Sequence, residues 1–88
     1  MHKKIYSIYD TKALEIFGGL IYVNNDEVAR RGFHEALAHT ESPLSKAPGD
    51  YELVHIGELD TQNATITPRG PEVIARGADW LNANKGQA

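Results

Sequence analysis

Tyr51-Glu52-Leu53-Val54-His55-Ile56-Gly57-Glu58-Leu59 (YELVHIGEL, residues 51–59) is the stretch on which the fold turns. Successive side chains of a strand point to opposite faces, so Tyr51, Leu53 and His55 lie on one side and Val54 and Ile56 on the other. Large apolar groups therefore occupy both faces. Asp60-Thr61-Gln62-Asn63 has turn chemistry, and Ala64-Thr65-Ile66-Thr67 returns as a short fourth strand. Upstream, KIYSIYD (residues 4–10) repeats the pattern, with Ile5 and Tyr9 opposing Tyr6 and Ile8. Its β-branched and aromatic residues suit a pleated, half-buried surface. Asp10-Thr11-Lys12 forms a turn, and Gly18-Gly19 lead into a second strand, Leu20 to Val23. The short spacing predicts an antiparallel hairpin.

A helix separates the two strand pairs. Asn24 is placed to cap it, with Glu27 three residues on in capping-box spacing. Asp26 and Glu27 complement the positive end of the helix dipole. Ala29, Phe33, Ala36 and Leu37 follow the i, i+4, i+7, i+8 spacing of one buried stripe. Glu27–Arg31 and Arg31–Glu35 are spaced as exposed ion pairs. The helix should span about residues 25–39 and stop before Ser42-Pro43, since proline disfavours helical geometry in the residue before it. Residues 40–50, with two prolines and a glycine, form a loop with room for one helical turn.

After Pro68-Arg69-Gly70-Pro71 a closing helix is expected, with Pro71 at its first position and Ile74, Ala78 and Leu81 on one face. Gly77 is an alternative early stop for it. The predicted fold is α+β: a small antiparallel four-stranded sheet in β-β-α-β-β order with a short C-terminal helix. Residues 1–81 form its single domain and 82–88 a flexible tail. One central helix covers one sheet face, and a half-solvated antiparallel sheet normally shows polar residues on the other. Three candidates lie against the second face: the C-terminal helix with Trp80, a second copy of the chain, or a ligand such as unstacked bases. The homodimer is the sharpest of these expectations, two-fold dimers being the commonest assembly.

Composition narrows the function. The chain has 88 residues, no cysteine and a net charge of −3, which excludes disulfides, thiol nucleophiles and thiolate zinc sites. The basic N-terminus, MHKKIYSIYD, precedes no long apolar run, and none approaches the roughly 20 residues that span a bilayer. A soluble protein without membrane contact is expected. Mild acidity argues against a whole-protein attraction to nucleic acid, so phosphate binding would need a local basic patch.

Catalytic and metal motifs are not apparent. His34 and His39 are five apart and miss the i, i+4 spacing of a helical zinc pair, while His2 and His55 are isolated. Glu52 and Glu58 share the parity of Val54 and Ile56, which allows a carboxylate pair on one side, although solubilising groups explain them more simply. Serines 7, 42 and 45 lack a nucleophile-elbow pattern, and Gly18-Gly19 is not a phosphate loop. No cofactor is implied and no enzyme is expected. The cations carry more information. Lys3 and Lys4 open the first strand beside Tyr6 and Tyr9, Lys12 follows in the turn, and Arg30-Arg31 sit on the helix's outer side. Aromatics interleaved with cations on a sheet bind single-stranded nucleic acid, the cations tracking phosphates and the rings stacking on bases. The plainer account is that a tyrosine is core and the lysines protect an edge strand.

KIYSIYDTKA, YVNNDEVARRGFHEAL and SPLSKAPGDYELVHIGELD followed by TITP resemble the small nonstructural protein of gokushovirus-type Microviridae, the small single-stranded-DNA phages. The resemblance covers about residues 4–68, with looser similarity through ARGADWL. Its strongest parts are the helix residues Asn25, Asp26, Ala29, Arg31 and Phe33, and the stretch holding Asp50 to Leu53, Ile56 to Glu58 and Asp60. It departs at Gly18-Gly19-Leu20-Ile21, where an asparagine-proline-phenylalanine type of sequence is more usual. The resemblance implies a non-enzymatic nonstructural protein of the bacterial host's cytoplasm, acting in viral DNA synthesis or packaging. On that reading Lys3, Lys4, Lys12, Arg30 and Arg31 contact single-stranded DNA, and Tyr6 or Tyr9 provides a stacking platform. The alternative is an adaptor that touches a phage or host replication protein without binding nucleic acid.

Overall fold

The computed structural model describes residues 2–84. The chain forms β1 (His2–Asp10), β2 (Glu15–Val23), α1 (Asp26–Ala38), a single-turn α2 (Pro43–Lys46), a 3-10 turn (Pro48–Asp50), β3 (Tyr51–Asp60), β4 (Thr65–Arg76) and α3 (Gly77–Asn84). The four strands make one antiparallel sheet in the order β2-β1-β3-β4. The expected fold class is thus present, as two hairpins joined along a central β1–β3 seam.

Both hairpins close by the same device. At the first tip the Asp10 carboxylate accepts from Lys12 N at 2.9 Å and Ala13 N at 3.0 Å, and Leu14 N donates to Asp10 O at 2.8 Å. At the second, the Asp60 carboxylate accepts from Gln62 N at 2.9 Å and Asn63 N at 3.2 Å, and Ala64 N donates to Asp60 O at 2.9 Å. These two backbone amides hold the Asp60 carboxyl below its ordinary pKa. Leu14 (φ 61°) and Ala64 (φ 58°) take the left-handed conformation that brings each chain back. Fifty residues separate these Asp-Thr turns, and because β1 and β3 run antiparallel the tips lie at opposite ends of the sheet.

The outer strands share a second feature. In β2, Ile21 lies opposite Tyr6 and Phe17 opposite Ile8, so residues 18–20 bulge against Ser7 alone. In β4, Glu72 lies opposite His55 and Pro68 opposite Gly57, so residues 69–71 bulge against Ile56 alone. Gly18 (φ 78°) and Gly70 (φ 60°) supply the positive φ that these bulges require.

Helix α1 lies on one face. Its Ala29, Phe33 and Leu37 are buried against Tyr6, Tyr51 and Leu53 of the sheet and Leu44 of α2, with Ile8, Phe17, Ile21 and Val23 around them. The predicted stripe is therefore the contact stripe. The cap is one residue later than expected: the Asn25 side chain, not that of Asn24, accepts from Val28 N at 2.9 Å. The i, i+4 ion pair expected between Glu27 and Arg31 is replaced by an i, i+3 pair, Glu27–Arg30, at 2.8 Å.

A polar anchor fixes the start of α1. The Tyr6 hydroxyl donates to Asp26 Oδ1, which also meets Lys4 Nζ at 3.4 Å. Tyr6 holds the Asp26 carboxyl below its ordinary pKa, Lys4 adding to the effect, while burial foremost pushes the Tyr6 phenol up. A depressed carboxylate pKa means that the unfolded chain binds more protons, so stability rises with pH. The contribution is complete above the ordinary aspartate pKa and is lost as pH falls through the lower folded-state value. Urea unfolding should show stability flat from neutrality to about pH 5 and falling below about pH 4. Tyr6→Phe should cost about 1–2 kcal/mol at pH 7, the scale of a hydrogen bond to a charged group, and flatten the acid limb. An unchanged slope would refute this assignment.

The C-terminal part departs most from expectation. β4 continues through Pro68 and Pro71, at an edge where prolines are tolerated, so the closing helix begins at Gly77 rather than Pro71. Residues 82–84, expected in the tail, complete that helix, and 85–88 lie outside the described residues. Nor does α3 cover the second face. Trp80 joins the cluster beneath α1. Among the described residues the opposite face has no helix on it.

Candidate nucleic-acid interface

The seven residues singled out from the sequence do not converge. Tyr6 is 0 % exposed, its ring inside the core beside His55 at 5.2 Å, so its face is closed to bases. Lys4 sits on the helix side, engaged with Asp26. Tyr9 is half-buried on the helix-free face, opposite Ile16 and Glu52. Lys3 is exposed at one end of that face, opposite Leu59. Lys12 is exposed at the first hairpin tip, nine residues further along, about 30 Å away at strand spacing.

Arg30 and Arg31 find company. Arg30 and His34, one helical turn apart on α1, face Ile74 to Arg76 at the end of β4 and Asp79, Trp80, Ala83 and Asn84 of α3 across a groove of about 490 Å³. A neighbouring depression of about 360 Å³ shares Arg30 and His34 and adds Arg31 and Glu35. Two close packings create the groove. Gly77 brings the β4–α3 corner against the carbonyls of Pro48 and Tyr51, leaving no room for a Cβ. The Asn84 side chain donates to Trp80 O at 2.8 Å and ties the last turn of α3.

Arg30 has an acidic partner at the groove's margin, Nη1–Glu27 at 2.8 Å, whereas Arg76, at the groove's edge, turns its guanidinium to Glu52 on the helix-free face at 3.3 Å. The Glu27 side chain is 82 % exposed. A pair so wetted is worth at most about 1 kcal/mol, so a phosphate can take its place cheaply. The arrangement offers the Arg30 guanidinium, an imidazole and an indole to one ligand, beside the Asp79 carboxylate. That combination suits a phosphodiester with a neighbouring base.

The sequence does not show that His34 and Trp80 share one site. The i, i+4 spacing of Arg30 and His34 is the signal in the sequence that puts both on one side of the helix. Arg76 could not be placed while the fourth strand was ended at Thr67. Among the described residues there is no cluster of three metal-ligating side chains. Glu52 and Glu58 do not share a side as parity had suggested. The register step at Ile56 puts Glu52 opposite Tyr9 and Glu58 opposite Lys4, on opposite faces. Glu58 pairs with Arg69 at 2.9 Å, which lowers its pKa.

A phage protein is the class to which comparison assigns this small α+β domain. The chain belongs to the Phage ORF5 protein family, whose model matches residues 3–80. No curated protein and no solved structure matches it. No helix of the described residues is long and apolar enough to cross a membrane.

Proposed function

We propose that the protein is a non-enzymatic accessory factor of a gokushovirus-type single-stranded-DNA phage. It binds single-stranded DNA in the host cytoplasm during genome replication or packaging. The observation that carries this reading is the groove in which Arg30 and His34 stand beside Trp80, with Arg31 in the adjoining depression. Trp80 stacks on a base, Arg30 exchanges the exposed Glu27 carboxylate for a backbone phosphate, and Arg31 meets a second. With a net charge of −3 the protein gains nothing from long-range attraction. Binding is therefore weak and strongly salt-sensitive.

Anisotropy of a labelled oligonucleotide at about 50 and 200 mM salt tests this. Two or three phosphate contacts predict a log–log salt slope of about −1.5 to −2. Trp80→Ala should weaken binding by about 5- to 150-fold, the equivalent of roughly 1–3 kcal/mol per stacked base. Arg30→Glu with Arg31→Glu should abolish it, and Lys12→Glu, at the distant tip, should change it less than twofold. Absence of binding at 50 mM salt, or equal losses for Lys12→Glu and the arginine pair, would remove the proposal.

A further inference from the structure

The helix-free face of the sheet is apolar across its middle. Ile5 and Val54 are buried there, 2 % and 7 % exposed, while Ile16, Tyr22, Ile66 and Val73 towards the outer strands are 37–60 % exposed. Tyr9, Ile16, Val54, Ile56, Pro71 and Val73, with Glu52 among them, line a depression of about 410 Å³ on this face. A solvated sheet face would show alternating polar residues here. We infer that this face binds a second copy of the chain, giving a face-to-face two-fold dimer.

Charge selects the occupant. Among the described residues, the charged side chains on this face are Lys3 at one end and the mutually neutralising Glu52–Arg76 pair, 3.3 Å apart, towards the other. A polynucleotide would find almost no cations in between. An identical face whose single unpaired charge, Lys3, lies at one end repels little and matches itself, as an isologous interface requires. Area agrees. Four strands at about 4.8 Å spacing and nine residues at about 3.3 Å rise give a footprint of about 19 by 30 Å. Two such faces bury about 1,100–1,200 Å², at the lower bound for a specific complex. The faces meet as in a β-sandwich, about 10 Å apart and about 30° from parallel. The grooves beside Trp80 then face outward on opposite sides. This inference does not rest on the nucleic-acid reading.

Sedimentation equilibrium of the full chain from about 5 to 500 µM, without DNA, decides it. An interface of this size predicts micromolar association, with the mass rising from 9.7 kDa towards twice that value. Tyr22→Lys and Val73→Lys, both half-exposed in the protomer and so compatible with folding, should each weaken association at least tenfold. Circular dichroism and Trp80 emission should stay unchanged. Val28→Lys makes the same kind of change at an exposed position of α1 and should leave association within twofold. A monomer at every concentration, equal losses for Val28→Lys and Tyr22→Lys, or association that appears only with an oligonucleotide or another protein would overturn it.

Discussion

Phe33→Ala should lower the stability of this domain by about 3–5 kcal/mol, the range for truncating a buried aromatic. Phe33 is 2 % exposed and sits midway along the helix stripe, between Ala29 and Leu37 and above Tyr6 and Leu53. The sheet beneath it is held by two hydrogen-bonded ladders along β1 and cannot collapse to refill the void. A chain of 88 residues has a total stability near the low end of about 5–15 kcal/mol, so this one change should leave a substantial unfolded population at room temperature. Urea titration followed by circular dichroism reads it directly. Val28→Ala, at a position 42 % exposed on the same helix, should cost less than about 0.5 kcal/mol. Comparable losses at the two positions would mean that α1 is not docked as described.

The second large effect is expected at Gly77, and it differs in kind. A Cβ there would overlap the Pro48 carbonyl and sit 3.0 Å from Tyr51 O. Both are backbone atoms, which cannot rotate away as a side chain would. Gly77→Ala should therefore cost about 3 kcal/mol, the upper part of the overpacking range, by driving α3 off the 3-10 turn while the two hairpins stay paired. The single tryptophan makes this visible. Trp80 emission should shift to the red at urea concentrations where the far-ultraviolet signal of the sheet is still intact, and the oligonucleotide affinity proposed for the groove should fall with it. Coincident, unshifted transitions would show that the corner absorbs the methyl group.

Much of this fold was legible because local chemistry and burial agree. The strand alternation at 51–56, the helix stripe from Ala29 to Leu37 and the Asp-Thr turns each announce their structure within a few residues, and each is found. What misled was punctuation. Pro68, Gly70 and Pro71 read as a chain break, yet they form a bulge within an outer strand, where a missing N–H harms no inner ladder. That single misplacement hid Arg76 and shifted the start of α3. The site was less legible for a related reason. Arg30 and Trp80 lie 50 residues apart, and only the close approach at Gly77 brings them together. Tyr6 and Tyr9 looked alike in sequence, three residues apart in one strand. Parity sends Tyr6 under the helix and Tyr9 to the bare face.

The paired bulges at residues 18–20 and 69–71 bear on how far self-association can go. An uninterrupted outermost strand offers its free amides and carbonyls to a neighbour, and repetition of that contact ends in fibres. Here both rims are kinked midway, and one is further disarmed by two prolines that lack the amide proton. Lateral growth is blocked on either flank, so the pairing inferred for the greasy side would stop at a closed pair.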